Sequence, residues 1–307
     1  MGSKESTALS RRLLLAAGSG TALAGIVPLG TTAYASGRRD NTPLARQLLD
    51  LEKERSTRLG VFAHDVATGR TVLHRAHERF PICSVFKTLA VAAVLRDRDR
   101  DGEYLSRRVR YTEQDVVRSG YAPVTGLPAN LAQGMTVEAL CAASITHSDN
   151  TAANLLLGKL GGPASVTLFC RSTGDTVTRL DRWEPELNSA EPERATDTTG
   201  PYAVGRTYAR LILGHALDPA DRERLTGWLL ANTTGAARLR AGLPDDWTVA
   251  EKTGTGDYGT TNDVGVAWPP GRGAVVLSVL STKRDPDAPA DDQLIARTAA
   301  LVTGALS

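Results

Sequence analysis

The chain has 307 residues, 41% of them hydrophobic, which is enough for one large domain or two lobes with a substantial core. Its formal net charge is +2, and Lys4, Glu5, Arg11 and Arg12 account for all of it, so the chain from residue 36 onward is neutral. This balance gives no basic surface for a nucleic acid or an anionic membrane, and it excludes both as partners.

The N-terminus predicts an export signal. Arg11 and Arg12 precede a mildly apolar stretch over residues 13–29, and Ala33-Tyr34-Ala35 fits a small-residue cleavage site. A membrane anchor is the alternative, but the stretch is weakly hydrophobic for a spanning helix, and no other run of the sequence is apolar enough. We therefore expect residues 1–35 to be a twin-arginine-type signal cleaved near Ala35. The mature chain would then be secreted, extracellular or periplasmic, without stable membrane association.

The first part of the mature chain predicts a hairpin followed by a helix. Residues 58–64 alternate as a strand does, residues 67–69 form a turn, and residues 71–77 form the returning strand. From Ser84 the apolar positions follow a helical period as far as residue 96, and the helix stops near Gly102.

The rest of the chain predicts helices first and strands later. Asp218 is the expected N-cap of one helix, because Pro219 follows it at the first helical position. The predicted helices cover residues 137–146, 151–160, 202–217, 219–231 and 293–306, and the predicted strands cover residues 249–252, 263–268 and 274–281, with a turn at residues 269–272.

Strands therefore occupy both ends of the chain and helices its middle. The simplest fold is an α/β two-lobed one, in which an antiparallel sheet from both termini is flanked by helices and an all-helical lobe is inserted. We expect residues 36–83 and 232–307 to form the α/β lobe, residues 84–231 the helical lobe, and a site to lie in the cleft between them.

Four short motifs carry the chemistry. Each is common by chance, but their order and separation are not: Ser84-Val85-Phe86-Lys87, Ser148-Asp149-Asn150, Arg182-Trp183-Glu184-Pro185-Glu186-Leu187-Asn188 and Lys252-Thr253-Gly254. Together they supply a nucleophile, two amines, a second hydroxyl and a carboxylate.

The first motif predicts a nucleophile beside an amine. Ser84 and Lys87 share a helix face, and a serine hydroxyl needs a nearby base. The amide of Ser84 at the helix start could bind an oxyanion. Alone, the pair would be better explained as a chance capping serine with a solvated lysine.

The other motifs have similar simple alternatives. Ser148 could relay a proton and Asn150 could bind a substrate amide, although helix capping alone explains this motif. Glu184 and Asn188 could hold a water between them, although an acidic surface loop is the plainer interpretation, and the bond before Pro185 could be cis.

The lysine motif predicts the end of a strand followed by a glycine-rich bend. There Lys252 and Thr253 would meet a carboxylate, and the amide of Thr255 could be a second oxyanion donor. Gly254 and Gly256 would let a ligand approach the backbone closely.

Taken together, the motifs resemble those of the class A serine β-lactamases, and the likeness extends over nearly the whole mature chain. The resemblance implies a secreted hydrolase, acting as a monomer on a small β-lactam substrate, with no cofactor. It implies that Ser84 is acylated, that Lys87 accepts a proton, that Ser148 protonates the lactam nitrogen, and that Glu184 with Asn188 activates the deacylating water. Whether Lys87 or Glu184 is the acylation base stays open.

The resemblance also implies the substrate-binding residues. Tyr121, Asn150 and Gly254 line the substrate site, Lys252 and Thr253 hold its carboxylate, and the amides of Ser84 and Thr255 form the oxyanion hole. Many members place an arginine on the strand after the lysine motif. This chain has none there, and Arg238, from the segment before that motif, is assigned the role instead.

Cysteines and histidines predict neither disulfides nor a metal site. With three cysteines at least one is free, and the partners that family disulfides would need are Val91 for Cys141 and Gly256 for Cys83. Cys83 is disfavoured as a nucleophile because it precedes the helix. The histidines show no H-x-H or H-E-x-x-H spacing, which disfavours a zinc site.

Two other functions share most of these motifs. A D-alanyl-D-alanine peptidase or transpeptidase would be acylated, but it has no need of the Glu184 loop. A β-lactam sensor domain would stay acylated, and it would need a membrane link that the N-terminus does not predict.

Overall fold

A computed structural model describes residues 42–306, so the predicted export signal lies outside the described residues. The strands of this part of the chain are β1 (Arg58–Asp65), β2 (Thr71–His74), β3 (Phe80–Pro81), β4 (Arg108–Val109), β5 (Met135–Thr136), β6 (Thr198–Thr199), β7 (Thr248–Gly256), β8 (Thr260–Trp268) and β9 (Val275–Thr282). Five of them form one antiparallel sheet in the order β2-β1-β9-β8-β7. Strand β7 pairs only with β8 and is therefore an edge of the sheet.

The helices surround this sheet and fill the middle of the chain. They are α1 (Thr42–Glu54), α2 (Phe86–Arg98), α3 (Glu103–Ser106), α4 (Glu113–Ser119), α5 (Pro128–Gln133), α6 (Val137–Thr146), α7 (Asn150–Leu160), α8 (Ala164–Ser172), α9 (Pro201–Ile212), α10 (Pro219–Leu230), α11 (Leu239–Gly242) and α12 (Asp292–Leu306). Two 3-10 turns, Cys83–Val85 and Glu186–Ser189, lie at the site described below.

Both faces of the sheet are buried. On one face, Leu48 of α1, Leu239 of α11 and Ile295 of α12 pack in one apolar cluster with strand residues. On the other face, Phe62 packs with Val204 of α9 in a second cluster that continues into the helical part of the chain. The sheet is thus held between terminal helices and the inserted helices, as predicted, and the limits of the two lobes stay a prediction.

Helix α2 is the centre of the helical part. The side chains of residues 86–95 are all buried, because α6, α7, α8 and α10 pack around it. A helix that is apolar on all sides belongs in a core rather than at a surface. Its N-terminus is therefore a rigid support for the turn that precedes it, which carries Ser84.

Several predicted boundaries were wrong. The strand predicted over residues 71–77 ends at His74, and the helix predicted over residues 202–217 ends at Ile212. The glycine-rich bend predicted after Lys252 does not exist, because pairing with β8 keeps the chain extended as far as Gly256. The N-cap at Asp218 is confirmed, since its side chain accepts a hydrogen bond from the amide of Asp221.

Among residues 42–306, no helix combines the length and the apolar character that crossing a membrane requires.

Candidate active site

Ser84 lies in a strained turn at the start of the buried helix α2. Cys83, which precedes it, has φ 45°, in the left-handed region that a residue with a side chain rarely adopts. From α9, the Tyr208 hydroxyl contacts the same segment, at 2.7 Å from Thr88 Oγ1 and 3.2 Å from the Val85 carbonyl oxygen. Ser84 as a residue is 8% exposed and lines the cleft in front of it.

Lys87 is fully buried beneath Ser84 and connects the other motifs. Its Nζ lies 3.0 Å from Glu184 Oε1, and it donates to Asn150 Oδ1 at 2.6 Å and to the Ser148 carbonyl oxygen at 2.7 Å. Burial lowers the pKa of Lys87, and the neighbouring Glu184 carboxylate opposes that shift. Ser84 Oγ donates a long hydrogen bond of 3.4 Å to the same Glu184 oxygen. Nucleophile, amine and carboxylate therefore meet at one atom.

Ser148 stands between the two lysines. Its Oγ accepts from Lys87 Nζ at 3.3 Å and from Lys252 Nζ at 3.1 Å, so its own proton is free for another acceptor. Its φ is 56°, a second left-handed residue at the site. Asp149 caps α7 through the amide of Ala152, and its carboxylate also accepts from residues 124 and 125. The motif thus caps a helix and contributes to the site as well.

Glu184 is held on its loop by two asparagines. Asn154 accepts from the Glu184 amide at 3.0 Å and donates to its carbonyl oxygen at 2.8 Å, so one side chain fixes both backbone groups. Asn188 donates to Glu184 Oε2. The peptide bond between Glu184 and Pro185 is cis, as the sequence suggested.

Asn154 was not predicted from the sequence. The sequence does contain an indication, because Asn154 is a polar residue four positions after Asn150 in a mostly apolar helix. That spacing places both on one helix face.

A buried ion pair ties the two ends of the Glu184 loop together. Arg182 Nε donates to Asp197 Oδ2 at 2.6 Å, and Arg182 Nη1 donates to Ser189 Oγ at 2.8 Å. Asp197 Oδ1 accepts from the amides of Asp181 and Arg182. The pairing of Arg182 with Asp197 follows from the position of both residues at the loop ends.

Strand β7 forms the opposite wall of the cleft. Lys252 is fully buried, and burial together with the charge of Lys87 lowers its pKa to about 7. Thr253 shares a hydrogen bond with the hydroxyl of Thr234, a cleft residue that the motifs did not indicate. No sequence signal for Thr234 was present beyond its place in a polar run between a helix and Arg238.

Arg238 lies against the end of β7 and is itself largely buried. Its Nη1 donates to the carbonyl oxygens of Gly254 and Asn262 at 2.9 Å each, and its Nη2 donates to Thr255 Oγ1 at 2.7 Å. Its Nε pairs with Asp292 of α12 at 2.7 Å. The guanidinium therefore stands next to the residues assigned to the substrate carboxylate.

These residues surround one cleft of about 300 Å³. Tyr121, 52% exposed, stands at its rim, while Lys87, Glu184 and Lys252 lie buried beneath its lining. The lining consists of Ser84, Tyr121, Ser148, Asn150, Asn188, Thr234, Arg238, Thr253, Gly254 and Thr255. The structure thus brings every predicted site residue to this one place.

The cysteines take no part in the cleft. Cys83, Cys141 and Cys170 are free and buried, and burial raises the pKa of each thiol. Cys83 Sγ faces β7, where a Cβ added to Gly256 would lie 2.8 Å from it. A neutral, buried thiol is a poor nucleophile. Residues 42–306 also contain no group of three or more His, Cys, Asp or Glu side chains placed to bind a metal ion.

Known proteins resemble the chain over this whole region. The model of the β-lactamase enzyme family matches residues 43–306. A β-lactamase of Streptomyces lavendulae is 67% identical over 297 residues, 97% of either chain. The solved β-lactamase of Streptomyces albus G matches with a TM-score of 0.85 at 62% identity, over 86% of this chain and 100% of that one. An ancestral class A β-lactamase matches with a TM-score of 0.80 at 55% identity, over 85% and 99%.

Fold and cleft together define a hydrolase that works through an acylated serine. The chain belongs to the β-lactamase enzyme family, as a class A serine β-lactamase. It hydrolyses β-lactams and so confers resistance to them. The two-lobed α/β fold predicted from the order of strands and helices is confirmed.

Proposed function

We propose that Ser84 Oγ attacks the β-lactam carbonyl carbon and that Glu184 later activates the water that hydrolyses the ester. The observation that supports this most directly is the contact of both Ser84 Oγ and Lys87 Nζ with Glu184 Oε1, at 3.4 and 3.0 Å. A serine hydroxyl is a weak nucleophile until a neighbouring base takes its proton. Two such bases are present, since burial favours the neutral amine of Lys87 and Glu184 is the nearest carboxylate.

In acylation, the Ser84 oxygen bonds to the carbonyl carbon and the lactam C–N bond breaks. Ser148 donates its free proton to the departing nitrogen and is resupplied by the lysines that it contacts. The amides of Ser84 and Thr255 hold the oxyanion, and each such donor typically contributes about 2.7–4 kcal/mol in the transition state.

Substrate binding uses the wall formed by β7 and the rim opposite. Lys252 and Thr253 take the substrate carboxylate, with Arg238 adding positive charge behind them. Asn150 keeps one N–H for a substrate amide carbonyl, because its other N–H donates to Ser119. Tyr121 packs against the substrate at the rim, and Gly254 lets it lie close to the strand.

Deacylation depends on Glu184 with Asn188. Glu184 takes a proton from water, the hydroxide attacks the ester carbon, and the Ser84 oxygen leaves and regains its proton. Asn188 Oδ1 accepts no hydrogen bond from the described residues, so it is an acceptor for the second water proton. A positioned general base speeds such a step by about 10²–10⁴-fold.

The test is Glu184→Ala with penicillin, followed by mass measurement of the peptide that contains Ser84. We expect Ser84 to be acylated and the adduct to accumulate, because Lys87, Ser148 and the oxyanion donors remain. Ser84→Ala is the matched control and should show no adduct. Rapid acylation of Glu184→Ala would identify Lys87 as a sufficient acylation base.

Two outcomes contradict the proposal. If Glu184→Ala turns over penicillin at the wild-type rate, Glu184 is not the base for deacylation. If the wild-type protein itself keeps the adduct for hours, Glu184 does not activate a water for hydrolysis of the ester.

We further propose that residues 1–35 direct twin-arginine export and that the mature enzyme is a secreted monomer. The support is the sequence around Arg11 and Arg12 and the small residues before Ser36. Replacing both arginines by lysine should reduce the enzyme found outside the cytoplasm, and undiminished export would refute the signal. The mass of the exported chain gives the cleavage position, and light scattering gives the oligomeric state.

A further inference from the structure

Two fully buried carboxylates lie on neighbouring strands directly behind the cleft. Asp263 of β8 is paired with Thr253 of β7, and Glu251 precedes Thr253 by two residues, so both carboxylates are on one face of the sheet. Lys252, between them in sequence, projects from the opposite face. The proposed mechanism uses neither carboxylate.

Each carboxylate has one oxygen bound and one without a donor. Glu251 Oε2 accepts from Asn232 Nδ2 at 2.8 Å, and Asp263 Oδ2 accepts from the amide of Leu239 at 3.1 Å. Glu251 Oε1 and Asp263 Oδ1 accept no hydrogen bond from residues 42–306. The two residues are diagonal neighbours in the ladder between β7 and β8, a position from which long side chains reach each other.

Among residues 42–306, only Arg240 lies within ion-pairing distance of either carboxylate. Arg240 Nε lies 3.2 Å from Glu251 Oε1, but it makes no directed hydrogen bond there. The backbone closes over the carboxylate, since a Cβ added to Gly235 would lie 2.0 Å from Glu251 Oε1. Two ionised carboxylates buried side by side repel each other strongly, whereas one proton between them satisfies both oxygens that lack a donor. In agreement, burial and the charge of Glu251 raise the pKa of Asp263 well above its usual range.

We propose that Glu251 and Asp263 share one proton at neutral pH and act as a single negative charge that keeps Lys252 cationic. The inference rests on the role of Lys252 in binding the substrate carboxylate. Both acids are positioning residues, because neither reaches the cleft.

Lys252 needs such a counter-charge. Burial and the neighbouring Lys87 lower its pKa, and Glu251 and Asp263 are the groups that oppose this shift most. The charged and titratable groups that face the pair or Lys252 are Lys87 of α2, Tyr208 of α9, Arg238 and Arg240 around α11, and Asp292 through its pairing with Arg238. Of these, Arg238 and Lys87 lower the pKa of Lys252 further, and only Asp292 is a carboxylate.

Amide variants test whether the pair carries a single negative charge. Glu251→Gln or Asp263→Asn replaces the shared proton by an amide N–H, and the remaining carboxylate keeps the charge at −1. In either single variant, the decline of kcat/KM on the alkaline side of its pH profile (the alkaline limb) should therefore occur at the same pH as in wild type. The double variant removes the charge, and the limb should move down by roughly 1 pH unit, with about a tenfold loss of kcat/KM above it.

Infrared spectroscopy reports the shared proton directly and does not depend on turnover. Wild-type enzyme at neutral pH should show a protonated-carboxyl stretching band that shifts in D₂O, and both single variants should lose it. Asp65→Asn is the matched control, because Asp65 is also buried on the sheet but accepts from two backbone amides, which hold its pKa low against its burial. That variant should keep the band.

The outcomes are separable. A wild type without the band refutes the shared proton, even if no variant folds. Single variants that each move the limb half as far as the double variant mean that both acids are ionised. A folded double variant with an unmoved limb means that the pair does not act on Lys252. Failure of the proposed function instead appears in Glu184→Ala, which leaves the infrared band unchanged.

Discussion

Removing Arg182 should release the loop that carries Glu184. The Arg182 guanidinium at the start of the loop binds Asp197 at its end and Ser189 within it. Asp197 has φ 53°, a conformation that Asn tolerates, so Asp197→Asn removes the charge with little backbone strain. A double-mutant cycle therefore measures the coupling between the two side chains, using Arg182→Ser, Asp197→Asn and the double variant.

The size of the effect follows from burial. Removing one partner of a buried ion pair costs about 3–5 kcal/mol, because a buried charge is left alone. Here the Asp197 side chain is 1% exposed but that of Arg182 is 26% exposed, so water screens part of the interaction. Two amides also continue to donate to Asp197 Oδ1. We therefore expect Arg182→Ser to lower the free energy of unfolding by about 2–3 kcal/mol, with about 1.5 kcal/mol of coupling.

Urea unfolding measures the stability of all four proteins, and single-turnover kinetics measures deacylation. Arg182→Ser should slow deacylation more than acylation, because the loop positions Glu184. Arg194→Ser is the control, since Arg194 is exposed and pairs with Glu191 on the same loop, and it should change stability by no more than about 0.5 kcal/mol. A coupling energy near zero would show that the ion pair of Arg182 with Asp197 does not hold the loop in place.

Three more changes have expected outcomes. Arg238→Ala loses its contact with Thr255 and its charge near the substrate carboxylate, so kcat/KM should fall by about 10–100-fold, equivalent to about 1.5–3 kcal/mol. Asp218→Ala leaves the amide of Asp221 without its cap and should cost about 1 kcal/mol in urea unfolding. The raised pKa of Asp263 means that the stability it contributes is complete below its unfolded pKa, near 3.9, and is lost as pH rises through the folded value. Asp263→Asn should therefore gain stability relative to wild type as pH rises above about 4.

A specific result would contradict each of these three expectations. A folded Arg238→Ala with unchanged kcat/KM would show that Lys252 and Thr253 suffice. An unfolding free energy unchanged in Asp218→Ala would mean that Pro219 alone starts α10. Stability curves of Asp263→Asn and wild type that stay parallel from pH 3 to pH 9 would show that Asp263 is ionised in the fold.

The residues that we propose as catalytic could be located from the sequence because their chemistry is concentrated in short motifs. Ser84 and Lys87 lie three residues apart, on the 3-10 turn and on the first turn of α2 that follows it, so one short segment carries both. The cap at Asp218 is similarly local, since the cap and the amide it binds are three residues apart. Elements of this kind follow from the sequence because both partners lie in one segment.

Elements that depend on distant partners were missed. The glycine-rich stretch to Gly256 looks like a bend, but ladder pairing of Gly254 with Asn262 keeps it extended. The hydroxyl of Thr234 and the acids Glu251 and Asp263 gain their meaning from contacts far away in sequence. A charged residue in a strand ordinarily indicates a solvated face, and here it marks a buried one.

Helix α1 is a different case, because its signal was present. Leu44, Leu48 and Leu51 recur at helical spacing and are all buried against the sheet. The elements predicted from the sequence nevertheless omit this helix. The helix that ends at Ile212 instead of residue 217 shows the opposite error, an apolar pattern continued past the point where helical hydrogen bonding stops.

The edge position of β7 has a consequence for which antibiotics the enzyme accepts. A free strand edge ordinarily invites another chain to pair with it. Here the turn with Ser84 and the loop with Ser148 enclose that edge, so only a molecule as small as the cleft can use its main-chain groups. Main-chain hydrogen bonds distinguish amides from other groups but hardly distinguish one acyl side chain from another. We therefore expect changes of selectivity among β-lactams to arise in the bordering loops rather than in β7 itself.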